Sequence, residues 1–341
     1  MELWMVGVGA VVASTAVLFA YLVFIWWLDR YEREPFWLVL VTFAWGAIGA
    51  TGLAICLSLV FSLPADALLS ETYSTAFSLV IVAPFVEEFT KGLVFAALLL
   101  TPHLDNETDG LIYGAAVGLG FAALENLLYF AAAAAEGPEM LISTVVMRTL
   151  FSALIHTISS ALLGYTVGYV RHRKLLPWLW LFPIAGFAAS VINHGLWNFL
   201  VSLAIFDSVG ETMAAGALGL GVLVVVAMAA VMFALTQWSL WREHKIIARY
   251  LCDEARQGTL PRQHAEIIPY WRKRRKKNWL PSRVPRKDYV EAATLLAFRR
   301  YQQDTAAPRY RDRYEEDVRK YRAAVGRYMG NKAGRGGRGR R

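Results

Sequence analysis

Seven stretches of this chain, roughly 4–28, 36–62, 76–100, 110–135, 145–170, 176–205 and 213–240, are apolar for longer than the ~20 residues that cross a bilayer. Helices apolar on every side cannot be shielded by one another at this chain length, so lipid must cover part of them. An all-α, polytopic membrane helix bundle of about seven spans is expected. Composition agrees: 56% of the 341 residues are hydrophobic and the mean hydropathy is +0.39, too apolar for an ordinary soluble enzyme. No basic segment precedes the first run, which continues to Leu28, so it suits an uncleaved span better than a signal peptide.

The net charge of +8 averages two unlike parts. Residues 1–240 carry 16 acidic and 7 basic side chains, while 241–341 carry 11 and 28. The expected organisation is therefore a transmembrane bundle over 1–240 and a basic cytoplasmic tail over 241–341, partly disordered. Between the runs, "DRYERE" (29–34) and "RHRK" (171–174) are basic, whereas "PADALLSET" (64–72), "EGPE" (136–139) and "DSVGE" (207–211) hold only acids. By the positive-inside rule the first group and the tail face the cytoplasm and the N-terminus lies outside, in a protein integral to the plasma membrane. Trp26, Trp27, Trp37, Trp178, Trp180, Trp238 and Trp241 gather at the expected cytoplasmic span ends, as an interfacial belt would. Cys56 lies in an apolar run and Cys252 in the tail, so no disulfide is expected.

Against this background the ionisable residues inside the runs stand out, since each costs about 2.5–3.5 kcal/mol to insert. The third run has Glu87, Glu88 and Lys91, the fourth Glu125 and Asn126, the fifth His156 with Arg148 near its start, and the sixth Asn193, His194 and Asn198. Counted from the outer span ends, Glu87, Glu125, His156 and His194 all fall about 16–20 Å deep. Antiparallel helices with polar groups at one depth can share one cavity. Lys91 is four residues from Glu87 and three from Glu88, so it can pair with either acid. Glycines at 114, 118, 120, 164 and 168 allow close backbone approach in the fourth and fifth runs.

Carboxylates and imidazoles around one cavity can activate a water, with a glutamate as base and then as acid to a leaving amine. The histidines can donate to an oxyanion or bind a metal. No His-Glu-x-x-His pattern is present. His156, His194 and Glu88 could still form a zinc site with an open position, and spacing alone leaves this open. The same residues would also serve a proton-coupled membrane transporter. A third possibility is a scaffold acting through its tail.

"EEFTK" (87–91), "LENLLY" (124–129), His156 and "HGLWN" (194–198) together resemble the PrsW family of intramembrane proteases, related to the CAAX-prenyl endopeptidases and bacteriocin-immunity membrane proteins. The resemblance covers roughly residues 20–200. It implies a catalytic set of Glu87, Glu88, His156 and His194, one glutamate being the base, with Lys91, Glu125, Asn126 and Asn198 in support. It also implies peptide hydrolysis in membrane-anchored protein substrates such as an anti-sigma factor, by metallo or glutamic chemistry. The tail falls outside the resemblance. Its "YWRKRRKKNW" (270–279) suits anionic lipid headgroups, with nucleic acid a lesser candidate because of "GRGGRGRR" (334–341). Residues 288–329 have some helical pattern, and 330–341 are expected to be disordered.

Overall fold

The computed structural model describes residues 2–171, 177–205, 210–276 and 278–330, and among these it contains helices and no strand. The expected charges of "RHRK" and "DSVGE", the Trp178 side chain and the 334–341 segment lie largely outside the described residues.

Helix α1 spans Glu2–Leu28. Helix α2, Phe36–Ala44, passes through a wide π-helical turn at Trp45–Ala50 into α3, Thr51–Leu68. Helix α4, Glu71–Phe77, does the same through Ser78–Val82 into α5, Ala83–Leu98. Helix α6, Glu107–Glu136, is followed by α7, Pro138–Met147, a third wide turn at Arg148–Ser152, and α8, Ala153–Val170. Helices α9, Leu181–Ile205, and α10, Glu211–Arg256, complete the apolar part.

Six described helices are long and apolar enough to cross a membrane: Val6–Leu28, Phe36–Leu68, Glu107–Glu136, Pro138–Val170, Leu181–Ala204 and Glu211–Arg256. The remaining apolar run is helical as well. Its Glu87, Glu88 and Lys91 lower its apolarity, which separates it from the other six. Two expected loops are almost absent. "PADALLSET" is helical through Leu68 with Pro64 inside the helix, and "EGPE" shrinks to Gly137, whose φ of 124° is a backbone state that favours glycine.

The described residues of 1–28, 34–171 and 176–236 form one compact unit, and those of 29–33 and 237–330 a second. In the first, α6 is the central helix. It buries 72% of its most apolar window, against 17% for α1. Asn106 fixes its start: Oδ1 accepts from the amides of Thr108 and Asp109, and Asp109 Oδ2 accepts from the Asn106 amide. Along the α6–α8 crossing, a Cβ on Gly118 would strike the carbonyl of His156, and one on Gly114 that of Ser160. Gly120 instead admits the carbonyl of Phe43 from α2.

The second unit has its own apolar core, which the mixed charges of the tail conceal in sequence. It contains α11 (Arg262–Ile267), α12 (Trp271–Arg274), α13 (Arg286–Thr305) and α14 (Pro308–Tyr328). Ile247, Leu251, Ile268, Tyr289, Leu296, Val318 and Val325 pack together and are buried. The buried Glu254 carboxylate receives Thr259 Oγ1 at 2.7 Å and Arg322 Nε at 2.8 Å, with Arg300 at 3.5 Å. Burial lowers the pKa of His264, whose Nδ1 lies 2.9 Å from the Tyr289 hydroxyl. The basic stretch exposes Arg272, Lys273, Arg275 and Lys276 around Trp271, with Arg275 4.5 Å above the indole.

Candidate active site

Helices α5, α6, α8 and α9 each bring polar side chains to one place inside the first unit. From α5, Lys91 is 1% exposed and Glu88 is fully buried. The Lys91 ammonium lies 2.8 Å from Glu88 Oε1, 3.7 Å from Glu87 Oε2 and 4.1 Å above the Phe121 ring of α6. It also sits 2.8 Å from His156 Nδ1, which can accept only if it carries no hydrogen. His156 Nε2 faces Glu125 Oε2 at 2.7 Å. The matching tautomer has its hydrogen on Nε2 and a lone pair on Nδ1.

His194 has the opposite arrangement. Its Nδ1 lies 3.0 Å from Glu88 Oε1, so Nδ1–H donates to the carboxylate and Nε2 keeps the lone pair. That Nε2 is 3.8 Å from Glu87 Oε2, which is 3.9 Å from His156 Nδ1. The two imidazoles meet edge to face with centroids 4.7 Å apart. Glu87 Oε2, His194 Nε2 and His156 Nδ1 thus converge, the last also engaged by Lys91, and each imidazole has a carboxylate at its far nitrogen.

Glu87 and Glu88 are unlike despite being adjacent. Glu88 is engaged by Lys91, His194 and, at 3.4 Å, the Ser160 hydroxyl. Glu87 Oε2 is buried and has no hydrogen-bond partner. Single donor atoms of Glu87, His156 and His194 lie within 4.8 Å of one another and can hold a metal ion. Oxygen and two imidazole nitrogens are donors that zinc accepts, and the orphaned Glu87 oxygen fits the role of a ligand. The carboxylate grouped with the two histidines here is that of Glu87, whereas the expected set had Glu88. Glu88 orients the His194 ring from the far side, as carboxylates behind ligating histidines do.

The remaining expected residues stand at the margin. Asn126 Oδ1 accepts from Arg148 Nε at 3.1 Å. Asn198 Nδ2 donates to the Leu79 carbonyl at 3.0 Å, inside the second wide turn, and so pins α9 to that turn. Asn193 reaches Ser159 Oγ at 2.8 Å. Arg148, Ser160 and Phe121 also touch the cluster, and none of them was assigned a role from the sequence. Arg148 was placed near the start of the fifth run because that run begins at about residue 145, while the helix starts at Pro138 and places Arg148 well inside it.

A sequence profile of the PrsW family intramembrane metalloproteases matches residues 34–235. The protein named Protease PrsW from Geobacillus kaustophilus (strain HTA426) is 28% identical over 176 residues, covering 51% of this chain and 71% of that protein. No solved structure matches the chain. All four helices of the cluster fall within the matched residues, and the chain belongs to the PrsW family of intramembrane metalloproteases and is an intramembrane protease.

Proposed function

We propose that the convergence of Glu87 Oε2, His156 and His194 is the hydrolytic centre and that Glu87 is the group that activates water. The observation that carries this reading is the unbonded Glu87 oxygen, 3.8 Å from His194 Nε2 and 3.9 Å from His156 Nδ1, inside a membrane helix bundle. Glu87 takes a proton from water as the water oxygen bonds to the scissile carbonyl carbon. The carbon–nitrogen bond then breaks, and the proton passes from Glu87 to the leaving amine. Lys91, 3.7 Å from Glu87 Oε2, is the nearest cation to the developing oxyanion. Glu88 holds both Lys91 and His194 in place and takes no proton. Glu87, His156 and His194 are also the residues that would hold a divalent ion such as zinc, which when bound would supply Lewis-acid polarisation of water and carbonyl and would engage Glu87 as a ligand instead of as the base.

The substrates are membrane-anchored proteins, single-span anti-sigma factors among them, cut within or near the bilayer. Family membership supports this class. The distribution of basic loops supports an outer N-terminus and a cytoplasmic second unit in the plasma membrane. The exposed Arg272, Lys273, Arg275 and Lys276 around Trp271 suit anionic lipid headgroups.

Cleavage of a panel of single-span proteins in proteoliposomes tests the reading, with wild type and Glu87→Gln compared in the presence and absence of a chelator. Fragments are expected from wild type alone, and their loss with chelator identifies metal chemistry. Equal fragments from Glu87→Gln would remove Glu87 from the chemistry. Proton flux without fragments would instead favour the transporter.

A further inference from the structure

Arg148 opens the wide turn Arg148–Ser152 and reaches three side chains of α6 at once. Its Nη2 lies 2.6 Å from Glu125 Oε2, its Nε donates to Asn126 Oδ1 at 3.1 Å, and its guanidinium carbon stands 3.8 Å over the Tyr129 ring. The side chain is 14% exposed. Residues 125, 126 and 129 are spaced one, three and four apart on the helix, so one planar fork spans them. A lysine would bring the charge without the fork.

The same Glu125 oxygen is 2.7 Å from His156 Nε2. With Glu125 held there, the neutral imidazole keeps its hydrogen on Nε2 and its Nδ1 lone pair toward Lys91 and Glu87. Without a cation behind it, Glu125 would leave this largely buried position, and the His156 ring, still barred by Lys91 from carrying a hydrogen on Nδ1, would lose the carboxylate that orients its Nε2–H. We propose that Arg148 is a positioning residue of the proteolytic site, holding Glu125 against His156 Nε2 and so fixing the orientation of the imidazole ring. This rests on the reading of Glu87, His156 and His194 as the hydrolytic centre. It accounts for an arginine, largely withdrawn from the surface, two turns before the histidine of an apolar helix.

The test uses full-length protein in nanodiscs: wild type, Arg148→Met and Arg148→Lys. Proton–nitrogen NMR of histidine-labelled protein reads the contact of His156 Nε2–H with Glu125, its signal identified by loss in His156→Gln. Wild type is expected to show the downfield proton of an N–H facing a carboxylate, and Arg148→Met to shift it upfield with the hydrogen still on Nε2. The kcat of Arg148→Met should fall about 10–100-fold, the range for groups that orient ligating histidines, with KM within about twofold. Arg148→Lys should recover part of kcat, and serves alone where Arg148→Met does not fold. An unchanged His156 Nε2–H signal in a folded Arg148 variant overturns the proposal, whether kcat is kept or falls with the folded fraction. Loss of the downfield signal in a protein that cleaves nothing would uphold the hold on His156 while overturning the proteolytic assignment of the cluster.

Discussion

Neighbouring residues of one type can be given different work by what stands behind them, and Glu87 and Glu88 are the case here. Glu88 is fully buried between a lysine and an imidazole, while Glu87 offers a bare oxygen. Removing charge at the two should therefore have separable effects. Glu87→Gln should abolish cleavage and leave the thermal midpoint in nanodiscs near that of wild type. Glu88→Gln removes one partner of a buried ion pair, so it should cost about 3–5 kcal/mol of stability as well as activity. Paired melting and cleavage measurements check both. At Gly118, alanine should cost about 1–3 kcal/mol because its Cβ meets the carbonyl of His156. Gly52→Ala, where nothing lies within 4 Å, is the control and should be neutral or stabilising. The residues of the candidate cluster were legible as types, since charge inside an apolar run is conspicuous. Their roles were not, because Glu87 and Glu88 differ only through contacts with other helices. Asn198 shows the same limit, as its partner Leu79 lies 119 positions away.

At the scale of elements, the apolar runs were read correctly and their ends were not. Hydropathy reports where lipid can lie, whereas helix ends are set by hydrogen bonding, and Pro64 and Gly137 illustrate the difference. Pro64 is carried inside α3, and Gly137 alone separates α6 from α7. The latter error displaced Arg148 from the interior of its helix to the edge, and with it the reading of its role. Gly137→Ala should destabilise the α6–α7 connection by about 1–3 kcal/mol, the cost of holding a side chain in a sparsely populated backbone region. Chemical denaturation in mixed micelles measures it, and a loss no larger than that of Gly52→Ala would contradict the backbone argument.

The whole molecule joins an apolar bundle to a second unit with a core of its own. That core was only faintly legible, because the α13 and α14 residues that build it alternate with charges and the composition reads as a solvated tail. His264 gives this unit a pH dependence. Burial lowers its pKa in the folded state, so the unfolded chain binds more protons where the two states differ. The second unit should thus be most stable above the ordinary imidazole value of about 6.5 and lose stability as pH falls through and below it. Fluorescence of Trp279, whose ring lies 5.2 Å from that of His264, can follow the unfolding between pH 8 and 5. His264→Phe should flatten the profile.

The wide turns have a further consequence that is a matter of counting. A π turn holds one residue more than the α-helix around it needs, and each α-helical residue turns the chain by about 100°. Deleting one residue from Ser78–Val82 would leave a regular helix with better backbone hydrogen bonding. It would also rotate everything before it by about 100° relative to Glu87. The local element would be improved and the molecule misassembled. Single-residue deletions should therefore be worse tolerated in 45–50, 78–82 and 148–152 than substitutions at the same positions. In the turns at 78–82 and 148–152 the extra residue works as a register mark, fixing how α4 and α7 are phased to α5 and α8, which carry residues of the cluster.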